Sequence, residues 1–254
     1  MKKIILFLTA ALLIGAVACQ KTYYHGPRSV DNLNDPGNVS NSDAANMVAN
    51  SLSVSTNGVV NIVGDVTLNA ASLARAHAGC GTTQADTISR QSPAGSSTTY
   101  TYNLKYNYTV NCGNNNKPDS LLSSLIYSGS NSSSSMSSSN SGSSIFKVAG
   151  LDSAATSYII NGEYKSSGSF ASKTDTASHG NNSIDIIFTS LTLSKPGRSI
   201  TGGTATISVT GDTPKSGSFS YTGTLVFNGN NDATLTLNGK TYKINLYTGQ
   251  WTSV

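Results

Sequence analysis

Hydrolysis of a glycosidic bond needs two carboxylates facing one another, and this chain of 254 residues carries a single glutamate, Glu163, every other acid being aspartate. Glu163 falls on the polar side of an alternating run in which Tyr158, Ile160, Gly162 and Tyr164 share one parity and Asn161, Glu163 and Lys165 the other. That pattern makes it a solvated sheet residue. The histidines His25, His77 and His179 are scattered, and none sits in an HExxH or similar ligand spacing. No GxSxG elbow and no phosphate-cradling glycine loop occurs. "NLNDPGN" and "GNNDAT" lack the spaced acids of a calcium loop and read as turns. The expectation is a protein that is not an enzyme and uses no cofactor or metal.

Cysteine chemistry is more informative. Three cysteines leave one over in an oxidising compartment, and Cys80 and Cys112 form the natural pair, neither having a CxxC neighbour. The third, Cys19, follows a basic start and an unbroken apolar run over residues 4–17, about the length of a secretory signal and short of a membrane span. "AVAC", ending at Cys19, resembles the lipobox of bacterial lipoproteins, which implies a diacylated Cys19 as the mature N-terminus. Ala16-Val17-Ala18 also suits ordinary signal peptidase, so both routes are open.

Four triplets read Asp, then Ser or Thr, then an aliphatic residue, with Thr87, Ser120, Ser153 and Thr176 at the centre. They resemble the acceptor motif of Bacteroidetes protein O-glycosylation, and the Ser/Thr/Asn-rich texture is similar to that of the uncharacterised lipoproteins of that group. The resemblance implies glycans at these hydroxyls and an outer-membrane address in the cell envelope. Gln20-Lys21-Thr22 is not the acidic surface-export tag of such proteins, which leaves the periplasmic face and the cell surface both open. Charged residues are 11% of the chain and net charge is +4, so there is no basic stripe for nucleic acid.

These groups need a frame to hold them. Residues 1–18 read as the signal peptide, 19–42 as a flexible tether, and 43–254 as one β-rich domain. Ser42 would cap a helix carrying Ala44, Met47, Val48 and Leu52 on one face, the main helix of the protein, with a weaker helix over residues 69–79. Almost everything else alternates as strand. Ile184, Ile186 and Phe188 give way to Leu191 and Leu193, a change of phase that predicts a bulge. Asn238-Gly239 predicts a two-residue turn pairing Leu237 with Lys240 and Leu235 with Tyr242. The Ser-rich tract 128–144 reads as a disordered loop. The fold expected is mainly β: a long-stranded, curved antiparallel meander or open barrel with one N-terminal helix, the alternative being a β-sandwich.

Tyr100, Tyr102, Leu104, Tyr106, Tyr108, Val110 and Cys112 share one side of a strand. A side that ends in a cystine is the core side, with tyrosine hydroxyls at its wetter margin. The function expected is a non-catalytic, lipid-anchored envelope protein with a binding or structural role, its partners the membrane and an apolar or amphiphilic ligand between sheet and helix. The alternative is a carbohydrate-binding module stacking sugars on Tyr102, Tyr106 and Trp251.

Overall fold

The computed structural model describes residues 39–113 and 117–254; the signal-like run, Cys19 and most of the tether fall outside them. Helix α1 (Asn41–Leu52) leads through a short 3-10 turn (Val54–Thr56) to α2 (Val59–Arg75). Eleven strands follow: β1 (Thr83–Gln91), β2 (Thr99–Cys112), β3 (Pro118–Ser132), β4 (Met136–Ala149), β5 (Ser157–Ser172), β6 (His179–Ser194), β7 (Ile200–Thr213), β8 (Gly217–Gly229), β9 (Asp232–Leu237), β10 (Lys240–Asn245) and β11 (Trp251–Ser253). They form one antiparallel sheet in strict chain order, open rather than closed into a barrel, and not a sandwich.

The helices depart from expectation in two respects. The N-cap of α1 is Ser40, not Ser42, because Ser40 and Asp43 form a reciprocal box: the Asp43 N–H donates to Ser40 Oγ at 3.1 Å, and the Ser40 N–H donates to the Asp43 carboxylate at 3.0 Å. The helix expected over 69–79 begins ten residues earlier, stops at Arg75 and is longer than α1. Its first half, rich in Val and Ile, resembles a strand in composition, yet Val59, Ile62, Val63, Val66, Ala70 and Leu73 are buried at helical spacing. Gly58 lets α2 begin so close to α1, since a Cβ there would meet the Ser51 carbonyl oxygen at 2.5 Å. α1 packs on β9, β10 and β11, and backbone N–H groups of Val54 and Ser55 donate to the Leu246 and Tyr247 carbonyls.

Strand pairing follows the sequence closely in two places. The β9–β10 register pairs Leu237 with Lys240, Leu235 with Tyr242 and Ala233 with Ile244. Asn238 and Gly239 take φ of 43° and 82°, as a type I′ turn requires. In β6 the register slips between Thr189 and Thr192, with Ser190 at φ 52°. The slip keeps Ile186, Phe188, Leu191 and Leu193 on the buried side.

The Ser-rich tract is not a loop. Residues 128–144 supply the end of β3 and the start of β4, joined by a turn at 133–135, and pair in unbroken register from Ser128↔Ser141 to Ser132↔Ser137. The physical reason lies in the neighbours. Gly129 lies beneath the Tyr102 ring, and Gly142 would place a Cβ 2.6 Å from the Tyr127 hydroxyl. Aromatic rings from adjacent strands cover the glycines and supply apolar surface that the tract lacks. At the turn, Asn46 Nδ2 of α1 donates to Ser135 Oγ at 3.1 Å.

One core joins the helices to the sheet. Met47, Leu52 and Ile62 interlock with Leu104, Tyr106, Leu125, Phe146 and Phe188. Each such side chain contributes about 1.5–3 kcal/mol by leaving water. Most of the space between sheet and helices is therefore filled, apart from an open cavity of about 450 Å³ between α2 and the first strands, lined by Val60, Gly64, Asp65, Leu68, Arg90 and Tyr100.

Candidate functional site

An antiparallel meander brings the ends of β1, β3, β5 and β7 and the starts of β2, β4 and β6 to one end of the sheet. An open groove of about 1160 Å³ crosses these seven strands. No residue of α1 or α2 lines it, and no Lys or Arg does either. Register aligns Thr101, Ser130, Ser139, Ser169, Asn181 and Asp212 in one row across the strands. All six are exposed and belong to the groove lining. A second row, two residues nearer the strand ends, runs through Thr99, Ser132, Ser137, Ala171 and His179.

Residues of the opposite parity at the same strand ends, among them Tyr100, Asn131 and Phe170, turn to the inward side of the sheet. Asn131 is 6% exposed. Its Nδ2 donates to the Tyr102 hydroxyl at 2.9 Å, and that hydroxyl donates to Asn140 Oδ1 at 3.1 Å. Asn131 Oδ1 has no partner among the described residues. Burial pushes the Tyr102 hydroxyl above its ordinary pKa, and the two amides act in the opposite direction.

A second cluster, which the sequence did not advertise, ties α2 to the sheet. Asp65 of α2 accepts from Arg90 of β1 at 2.5 Å and from the Tyr106 hydroxyl of β2 at 2.7 Å; Arg90 also donates to Asn57 Oδ1 at 3.3 Å. Burial lowers the affinity of the Arg90 guanidinium for its proton, but the hydrogen bond and charge of Asp65 outweigh it and the net shift is upward. Burial and then Asp65 raise Tyr106 far above the ordinary phenol range; the same causes raise Tyr108, whose ring stacks on Tyr106 at 5.5 Å. Neither phenol ionises at neutral pH, so the cluster works as a polar pin between helix and sheet. No sequence motif marks it, because its members are 25 and 41 residues apart.

Scanned against models of known protein families, characterised proteins and solved structures, the chain has no match. Its own residues have to carry the reading.

The residues singled out from sequence are not drawn together. Tyr102 and Tyr106 are 5% and 1% exposed, so the sugar-stacking role assigned to them is corrected: their rings form core, as the parity argument required. Trp251, partly buried in β11, stands edge-on to Tyr242 at 5.4 Å and joins neither cluster. Cys80 and Cys112 are within bonding distance, with Cα atoms 5.5 Å apart. Cys19 and His25 lie outside the described residues. Of the four triplet hydroxyls, Thr87, Ser153 and Thr176 are exposed. Ser120 is 1% exposed, and its assignment as a glycan acceptor is corrected because the hydroxyl is sealed inside β3. The Ser153 and Thr176 triplets share one turn, in which the aspartate accepts from the N–H two residues on, at 2.7 Å in the first and 3.0 Å in the second.

Glu163 pairs with Lys165 at 2.7 Å, and Asp185 stands 3.8 Å from the same ammonium. Burial, then the neighbouring Glu163, raises Asp185 above the usual carboxylate range, with Lys165 opposing. This acid pair lines neither the groove nor the smaller cavity of about 450 Å³ beside Asp65 and Arg90. Among the described residues, no three His, Cys, Asp or Glu side chains converge as a metal site.

Proposed function

We propose that this is a non-catalytic envelope protein, exported and held at the outer membrane by a lipid on Cys19. Its sheet acts as a rigid binding scaffold. The observation that carries the binding half is the contrast between a filled interior and an open groove. Between sheet and helices only a small cavity of about 450 Å³ beside α2 is open, whereas the strand ends leave a groove of mixed polar and apolar lining, about 1160 Å³, large enough for a sizeable molecule. The Cys80–Cys112 pair, the Asp65 cluster and the single core keep that groove in a fixed shape, which favours binding without reorganisation.

Two measurements test it. Metabolic labelling with an alkyne fatty acid should mark the wild type and not Cys19→Ala, and the variant should move from the membrane fraction to the soluble one. Unlabelled wild type would refute the anchor. An environment-sensitive apolar dye should gain no fluorescence with the folded protein; a saturable gain would restore an apolar carrier. Peptide mass mapping adds a check on modification, with glycans expected at Thr87, Ser153 or Thr176 and none at Ser120.

A further inference from the structure

We infer that the free edge of β1 pairs with the same edge of a second copy, as antiparallel strands related by a two-fold axis at Ile88. Three observations converge on that partner and that register.

The first is which backbone groups are free. β1 is the end strand of the sheet and has a neighbour, β2, on one side only. Its register with β2 is unbroken from Thr83↔Thr109 to Gln91↔Thr101. The Val110 N–H donates to the Thr82 carbonyl and the Ser92 N–H to the Tyr100 carbonyl, so the even-numbered residues of β1 carry the ladder to β2. The odd-numbered residues Thr83, Ala85, Thr87, Ser89 and Gln91 turn their N–H and C=O groups the other way, and all five are exposed. The usual protections of an edge are missing: β1 has no proline, lysine or bulge, whereas the opposite edge, β11, is kept to three residues.

The second is charge. Asp86, Ile88 and Arg90 point to the inner side of the sheet with their buried β2 partners Tyr106, Leu104 and Tyr102. Half-buried Asp86 has no ion pair or hydrogen bond among the described residues. Pairing about Ile88 sets Asp86 of each strand opposite Arg90 of the other, in the close, non-hydrogen-bonded type of pair. Arg90 keeps its bonds to Asp65 and Asn57, and its guanidinium, 27% exposed, has further N–H groups to give. A register two residues either way would set Asp86 against Ile88 or Ser92 and leave it unanswered. Inward charges on an edge strand deter foreign strands; a copy of β1 is a strand that answers them.

The third is the backbone match. In this register Thr87 lies opposite Ser89 and Ala85 opposite Gln91, so each free group from Ala85 to Gln91 meets a partner, about eight hydrogen bonds in all. Ile88, half-buried against the core, packs on its own counterpart. Pairing uses up the open edge of both copies and leaves β11 at each outer end, so the assembly closes as a dimer and does not grow into a filament.

The test is sedimentation velocity on the mature chain carrying Cys19→Ala, at concentrations up to about 0.1 mM. A species of twice the monomer mass is expected. Ser89→Pro removes an outward N–H without taking a bond from the β2 ladder, and Asp86→Arg sets one arginine against another. Each should weaken dimerisation about ten-fold or more, with melting curves to show that the fold survives. The register is read separately by cross-linking under mild oxidation. Ile88→Cys faces its own copy and should form an intermolecular disulfide, while Gln84→Cys should not. A monomer at every concentration, a dimer that Ser89→Pro leaves intact, or a species larger than a dimer overturns the inference. Cross-linking of Gln84→Cys in place of Ile88→Cys overturns it as well.

Discussion

β2 and β4 flank the same strand and could hardly differ more in composition. Along β2 the inward positions include Tyr102, Leu104, Tyr106, Tyr108 and Val110; along the first half of β4, after Met136, they are Ser138, Asn140, Gly142 and Ser144. Both halves are equally strand. The difference teaches that apolar volume in a sheet is a property of a neighbourhood and not of a segment. Tyr102 covers Gly129 one strand away, and Tyr127 reaches over Gly142 to stack on Tyr164, with centroids 5.6 Å apart and hydroxyls hydrogen-bonded at 2.7 Å. The serine-rich half is held in place by rings it does not own.

That dependence can be broken from either side. The largest effect is expected from Tyr106→Ala, which empties the core and orphans Asp65; a loss of about 3–5 kcal/mol in chemical denaturation is anticipated, and a loss below about 1 would show the ring to be peripheral. Gly142→Val drives a side chain into the Lys165 backbone carbonyl and the Tyr127 ring together, with an expected cost of about 1–3 kcal/mol or more in the same assay. A neutral outcome would mean that neither the neighbouring strand nor the ring closes over the glycine.

Alkaline titration probes the rings together. Burial pushes Tyr127 up to about 12, and Tyr102, Tyr106, Tyr108 and Tyr164 are raised from the same first cause. A group that holds its proton more tightly when folded stabilises fully below its unfolded pKa of about 10 and loses that contribution as pH climbs to the folded value. Stability should be level below pH 10 and fall between about pH 10 and 12, by up to about 1.4 kcal/mol per pH unit for each such tyrosine. Tyrosinate absorbance should rise together with unfolding; a rise well before unfolding would mean wet rings. The smallest effect sharpens the contrast: Ser141→Ala, exposed in the same tract, should change stability by no more than about 0.5 kcal/mol.

Local pattern was legible where it was self-contained. The Asn238-Gly239 hairpin, the phase change after Phe188 and the burial of the tyrosine side could all be read, since each rests on parity or turn chemistry within one stretch. The first half of α2 was not, because Val59, Ile62, Val63 and Val66 suit a strand as well as a helix and only packing decides. The serine tract was misread because its covering rings come from Tyr102 and Tyr127, outside it. The groove was invisible for a stronger reason: Thr101 and Asp212 lie in one row only after four intervening strands have been laid down.

The contacts of α1 carry a last consequence. Its partners are β9, β10 and β11, and the Tyr221 hydroxyl of β8 caps the Val39 carbonyl at 2.5 Å. Helix α1 emerges before the whole sheet during synthesis and therefore waits for the final strands before its apolar side is covered. A chain cut short before Tyr242 would keep most of its meander yet leave that helix bare to proteases, so intactness of the carboxyl end is read out at the amino end.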